Sequence, residues 1–143
     1  MKAELGYDRM GSRLRHIGDL RIEYDMLGNR PSAFGGLALD YDMAGNRLRQ
    51  VGAQRVEYDM LGNRPSSFGG VALEYDKLGN RLRRIGGVGI EYDRAGTRVR
   101  RIGGLTVEYD RMGSRPRYLV GDVLDEQLAV VVFLVLVAFA PES

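Results

Sequence analysis

Apolar and polar residues alternate along most of this chain, and the alternation restarts at a constant interval. In Leu20-Arg21-Ile22-Glu23-Tyr24-Asp25 every second residue is apolar, and its copies carry β-branched residues such as Val56, Ile90 and Val107. Period-two alternation over so short a run predicts a half-buried strand. A second run follows, Asn29 to Phe34 in this copy and Asn80 to Ile85 in a later one, and reads as the return strand. Tyr-Asp pairs mark the interval: Tyr7, Tyr24, Tyr41, Tyr58, Tyr75, Tyr92 and Tyr109 stand 17 residues apart, with no insertion or deletion. A fixed period indicates a repeat architecture. The repeats occupy a region 1–123, in which seven units run from Tyr7 to Val123, and residues 124–143 form a separate hydrophobic segment.

Two junctions separate the strands. Counting each Tyr as position one, a glycine recurs at position five (Gly11, Gly28, Gly45, Gly62, Gly79, Gly96, Gly113) and an arginine at position seven (Arg13, Arg30, Arg47, Arg64, Arg81, Arg98, Arg115). Asp-x-x-Gly fits a type I turn that starts on Asp and ends on a left-handed glycine with a bulge. The other junction is a Gly-Gly pair at Gly35-Gly36, Gly69-Gly70, Gly86-Gly87 and Gly103-Gly104, suited to a two-residue hairpin turn with positive φ. Together they predict an all-β fold of tandem hairpins, about fourteen strands forming a meander, a solenoid or a tube-like sheet.

An odd period constrains the register, because a slip of one residue turns every side chain to the other face. A three-residue loop at Met26-Leu27-Gly28 pairs Asp25 with Asn29 and Tyr24 with Arg30; the two-residue Gly35-Gly36 turn pairs Phe34 with Leu37 and Arg30 with Tyr41. Parity then holds along the chain. One face carries Leu20, Ile22, Tyr24, Arg30, Phe34, Leu37, Leu39 and Tyr41, and the other carries Arg21, Glu23, Asp25, Asn29, Pro31, Asp40 and Asp42. The invariant Tyr and Arg become a lateral ladder in which each guanidinium meets two rings, and Asp and Asn form a second ladder behind it. Arg suits the place better than Lys because its planar group stacks.

The phrase Tyr-Asp-x-x-Gly, recurring seven times in phase over about four-fifths of the chain, resembles the YD repeats of the Rhs and teneurin proteins, though these units are shorter and more uniform. The resemblance implies β-hairpins coiled into shells or spirals, with no chemistry carried by the repeats. A weaker period of 34 overlies the first: repeats two and four read Pro31-Ser32-Ala33-Phe34 and Pro65-Ser66-Ser67-Phe68, where repeats one, three and five carry Leu-Arg at the same place. Proline lacks the ladder N–H and marks a bulge or an edge. Repeat six, Val99-Arg100-Arg101-Ile102, breaks this alternation.

Residues 128 to 140 contain no polar side chain. As a helix, thirteen residues span about 20 Å, short of the roughly 30 Å hydrocarbon core. The segment reads as a helix from near Asp122, with Asp125 and Glu126 in its first turns, or as a Val-rich strand; either way it packs on the apolar face of the sheet. Left uncovered it would serve assembly or membrane anchoring through Val130, Phe133, Leu134, Leu136 and Phe139.

The remaining composition excludes more than it assigns. Cysteine is absent, so disulfide and thiolate chemistry are excluded. A net charge of +2 arises from Arg interspersed with Asp and Glu, a solvated surface rather than a nucleic-acid footprint. Glu-Tyr-Asp triplets recur in nearly every repeat, whereas a catalytic pair is singular; His16 stands alone at a position held elsewhere by Gln50 and Arg84; and the Asp and Asn rows lack a compact calcium ligand set. No enzyme, metal or cofactor is expected. The start of the chain, Met1 to Gly6, has no apolar leader. The expected function is a structural, self-assembling repeat protein at the cell surface or outside the cell, whose unpaired strand edges join copies of itself. The alternative is a binding or encapsulating module, or a fragment of an Rhs-like polymorphic toxin or adhesin, that holds a glycan or a cargo protein.

Overall fold

The computed structural model describes residues 1–9, 13–26, 30–42, 47–60, 64–77, 81–94, 98–111 and 115–139. The described residues form fourteen strands: β1 (Lys2–Tyr7), β2 (Leu14–Ile17), β3 (Leu20–Tyr24), β4 (Pro31–Phe34), β5 (Leu37–Tyr41), β6 (Leu48–Val51), β7 (Gln54–Tyr58), β8 (Pro65–Phe68), β9 (Val71–Tyr75), β10 (Leu82–Ile85), β11 (Val88–Tyr92), β12 (Val99–Ile102), β13 (Leu105–Tyr109) and β14 (Pro116–Val120). Each pairs antiparallel with its neighbours in sequence. The meander closes, since β1 pairs with β14 through Lys2 with Val120, Ala3 with Leu119 and Glu4 with Tyr118. Of the expected arrangements the hairpin meander stands and the solenoid does not: the sheet is a closed barrel, and closure removes the free strand edges.

The Gly-Gly junction is as the alternation predicts. Ile17 pairs with Leu20 and Phe34 with Leu37 across two-residue turns. Gly35 and Gly36 have φ of 57° and 84°, and Gly69 and Gly70 match them, whereas at Gly86 and Gly103 only the first residue of the turn is positive. The first pair fits a type I′ turn and the second a type II′ turn, both matched to the twist of paired strands.

The other junction differs from expectation. Tyr58 pairs with Pro65, not with Arg64, and the N–H of Asp59 donates to the carbonyl of Arg64 at 3.0 Å across a four-residue loop. An even loop alone would invert the next strand. The inversion is undone one step later, where Glu57 pairs with Ser67 and leaves Ser66 as an extra residue, and the same shift recurs at Glu23/Tyr24, Asp40/Tyr41, Glu91/Tyr92 and Glu108/Tyr109. Parity survives because a bulge in the return strand, rather than the loop, absorbs the odd residue. The proposed turn glycines Gly11, Gly28, Gly45, Gly62, Gly79, Gly96 and Gly113, and Asn29 with its counterparts, lie outside the described residues.

Pro31, Pro65 and Pro116 open their strands at these bulges, one of the places a sheet tolerates proline. They alternate around the barrel with Leu14, Leu48 and Leu82. A ring of seven cannot alternate two kinds of residue throughout, so two like neighbours must meet once. They meet at Leu82 and Val99, which accounts for the break at repeat six.

Register also sets the shape. From one hairpin to the next the pairing climbs two residues, as from Leu20 to Ile22 and from Leu37 to Leu39. Seven such steps give a stagger of fourteen, equal to the number of strands. With usual strand spacings, equal stagger and strand number tilt the strands by about 35° and give a radius of roughly 13 Å. A cylinder that wide is not filled by strand side chains alone.

The C-terminal segment fills it. Asp125 caps helix α1 (Glu126–Phe133), accepting from the N–H of Leu128 at 2.8 Å, and the chain continues as a π-helical stretch, Leu134–Ala138. The helix starts at Glu126, later than the expected Asp122, and is not a strand.

Candidate functional site in the barrel lumen

Inward positions form rings of equivalent residues. Ile17, Phe34, Val51, Phe68, Ile85, Ile102 and Leu119 are at most 3% exposed, and Leu5, Ile22, Leu39, Val56, Leu73, Ile90 and Val107 are buried beside them. Ala129 to Val135 are all buried in the same cluster. A helix apolar on every side is stable only where every side is covered. Here strands surround it, and the ring of Phe133 stacks on Phe34 with centroids 4.8 Å apart and planes within 10°. Val130, Phe133 and Leu134, expected to drive assembly or anchoring, are buried in this lumen; Leu136 and Phe139 are half-buried against it.

One rim carries the invariant polar residues. Each position-seven Arg lies over the Tyr of the following repeat: Arg13 over Tyr24 at 4.4 Å, Arg30 over Tyr41 at 4.1 Å, Arg47 over Tyr58 at 4.5 Å and Arg64 over Tyr75 at 4.1 Å. Arg81 and Arg98 repeat the contact with Tyr92 and Tyr109. The ladder of expectation gave each Arg two rings; the structure shows one, because the bulge sets Pro31 rather than Arg30 opposite Tyr24. The other side of each Arg meets the Asp of its own repeat, as where Nε of Arg13 donates to Oδ2 of Asp8 at 2.7 Å and Arg47 to Asp42 at 2.7 Å. Asp thus belongs to the Arg ladder rather than to a separate row. A constant five-residue spacing from Asp to Arg was the sequence signal for this pair.

Each Tyr hydroxyl reaches a backbone carbonyl of the preceding repeat: Tyr24 donates to Leu14, Tyr41 to Pro31 and Tyr58 to Leu48, each at 2.7 Å. Tyr7 donates to Pro116 at 2.7 Å, which carries the pattern across the seam. Burial pushes the phenols of Tyr7, Tyr41 and Tyr75 up to about 12, against the opposing pull of the Arg beside each. Tyr24, Tyr58, Tyr92 and Tyr109 are raised for the same reason. A hydroxyl held protonated and already donating is a structural clasp, not a nucleophile.

At the opposite rim, where the segment enters the barrel, Glu4, His16, Asp19, Asp122 and Asp125 line an open cleft of about 800 Å³. Nδ1 of His16 is 3.1 Å from the carbonyl of Gly18, and Gln50 makes the equivalent bond to Gly52 at 2.9 Å, so this position braces the turn. Among the described residues, no three metal-binding side chains converge. Outward strand positions carry exposed charges such as Arg21, Glu23, Arg55, Glu57, Arg83 and Glu91. That is the reverse of a membrane-spanning barrel, whose outer band is apolar; no described helix is long and apolar enough to cross a bilayer.

Comparison with family models, curated proteins and solved structures gives no match.

Proposed function

We propose that this protein is a non-catalytic β-shell whose task is to enclose an apolar segment and keep it from water, an encapsulating module of the kind the YD-like repeats suggest. The observation that carries this reading is the burial of Ala129 to Leu134, none more than 3% exposed, inside a closed ring of strands with a charged exterior. The Arg–Tyr clasps and the bulges serve closure rather than a reaction. Filament growth through unpaired edges loses its physical motive, because β1 and β14 satisfy one another. The Rhs-like resemblance supports the same reading, with the C-terminal segment as cargo.

The test is to place a protease site at Val123, cut the folded protein, and ask by size exclusion whether residues 124–143 stay with the barrel. Encapsulation predicts a stoichiometric complex that exchanges slowly with a labelled peptide of the same sequence. Filaments of the uncut protein under the electron microscope, or immediate loss of the segment with the barrel unchanged, would refute it.

A further inference from the structure

Barrel closure places repeat seven beside repeat one, and this sorts the residue after each Tyr-Asp pair into two arcs of one rim. From repeat five onward that position holds Lys77, Arg94, Arg111 and then, across the seam, Arg9; in repeats two, three and four it holds Met26, Met43 and Met60, of which Met43 lies outside the described residues. The other six are exposed, and Met26 and Met60 fully so, at 103%. The Asp before each and the Arg of position seven pair within every repeat, so the third position sets the net charge of this rim. None of the four cations has an ion-pair partner among the described residues.

Four neighbouring like charges repel, and two bare methionines expose apolar surface that the fold leaves uncovered. A flat, anionic, partly apolar surface relieves both. The constant register puts equivalent positions at one height around the ring, which suits a plane better than a groove or a protrusion. We propose that this rim docks on an anionic lipid surface, with the arc Lys77, Arg94, Arg111 and Arg9 at the headgroups and Met26 and Met60 in the interfacial layer. A nucleic acid would engage the cations and leave the methionines bare; a neutral apolar partner would do the opposite. The inference is independent of what the lumen encloses.

The full chain is sedimented with vesicles of phosphatidylcholine alone and of phosphatidylcholine with phosphatidylserine. Binding is expected only to the anionic vesicles, weakening as salt is raised. Replacing the four cations by Gln should lower partitioning by about fivefold for each charge removed. M26S with M60S should lower it several-fold at unchanged charge. A control variant with Arg21, Arg55, Arg84 and Arg101 replaced by Gln removes the same charge beside the two-residue turns of the opposite rim and should bind like the parent. Absence of anionic-vesicle binding, equal binding to neutral vesicles, insensitivity to the methionines, or an equal loss in the control variant would each overturn the proposal.

Discussion

Arg115 lies over the ring of Tyr7 with its guanidinium carbon 4.5 Å from the centroid, so the last repeat holds the first as each repeat holds the next. Residues 108 positions apart thereby repeat a contact that everywhere else joins adjacent units. The seam is completed by Lys2, whose amine lies 4.2 Å from the ring centre of Tyr118.

This geometry fixes which pairs are energetically coupled. A double-mutant cycle on Arg64 and Tyr75 should show coupling of about 0.5–1 kcal/mol, while one on Arg64 and Tyr58 should show almost none. Denaturant midpoints of the four proteins in each cycle measure this. Equal coupling to both rings would restore the two-ring ladder and contradict the bulge.

Phe133 is fully buried and stacked on Phe34, so Phe133→Ala leaves a hole in the lumen as well as losing ring contact. The expected loss is about 3–5 kcal/mol in a urea titration. A loss below about 1 kcal/mol would place the helix outside the barrel.

The turn glycines separate strain from space. Gly35 has φ of 57°, and an added Cβ would stand 3.2 Å from Cδ2 of Leu20, so Gly35→Ala should cost about 1–2 kcal/mol or more. Gly87 lacks a positive φ and faces open space, so Gly87→Ala should be neutral or stabilising by up to about 1 kcal/mol. Thermal melts of the two variants give the contrast.

Tyrosine burial predicts an alkaline limit. Burial pushes the phenols of Tyr7, Tyr41 and Tyr75 from the ordinary value of 10.0 up to about 12, so above pH 10 the unfolded chain gives up protons that the folded one retains. Stability is therefore fully present below pH 10 and declines as pH rises from 10 to 12. Unfolding free energy measured from pH 8 to 12 should be flat, then fall; replacing Tyr41 and Tyr75 by Phe should lower the plateau and make the fall shallower.

The rim residues Arg9, Met26, Met60, Lys77, Arg94 and Arg111 share one repeat position, and their common spacing was legible in the sequence. Their grouping was not. Arg9 joins Arg111 only because β1 closes on β14, a contact between the two ends of the repeat array.

The sequence by itself determined the hairpins: period-two alternation marked the strands, Gly35-Gly36 and its copies marked the tight turns, and Ile22, Phe34 and Leu39 were assigned together to the apolar face. These follow from interactions a few residues apart, which the repeat restates in every unit. Tertiary structure alone decided the position of the odd residue, the single ring met by each Arg, closure after seven units, and the enclosure of Ala129 to Val135. Alternation records only which residues share a face, so a bulge at Ser66 and a bulge in the loop leave the same pattern. Curvature accumulates by a two-residue stagger over seven hairpins, and closure depends on Lys2 meeting Val120 and on a helix wide enough to fill the lumen. No local window of the chain contains that sum.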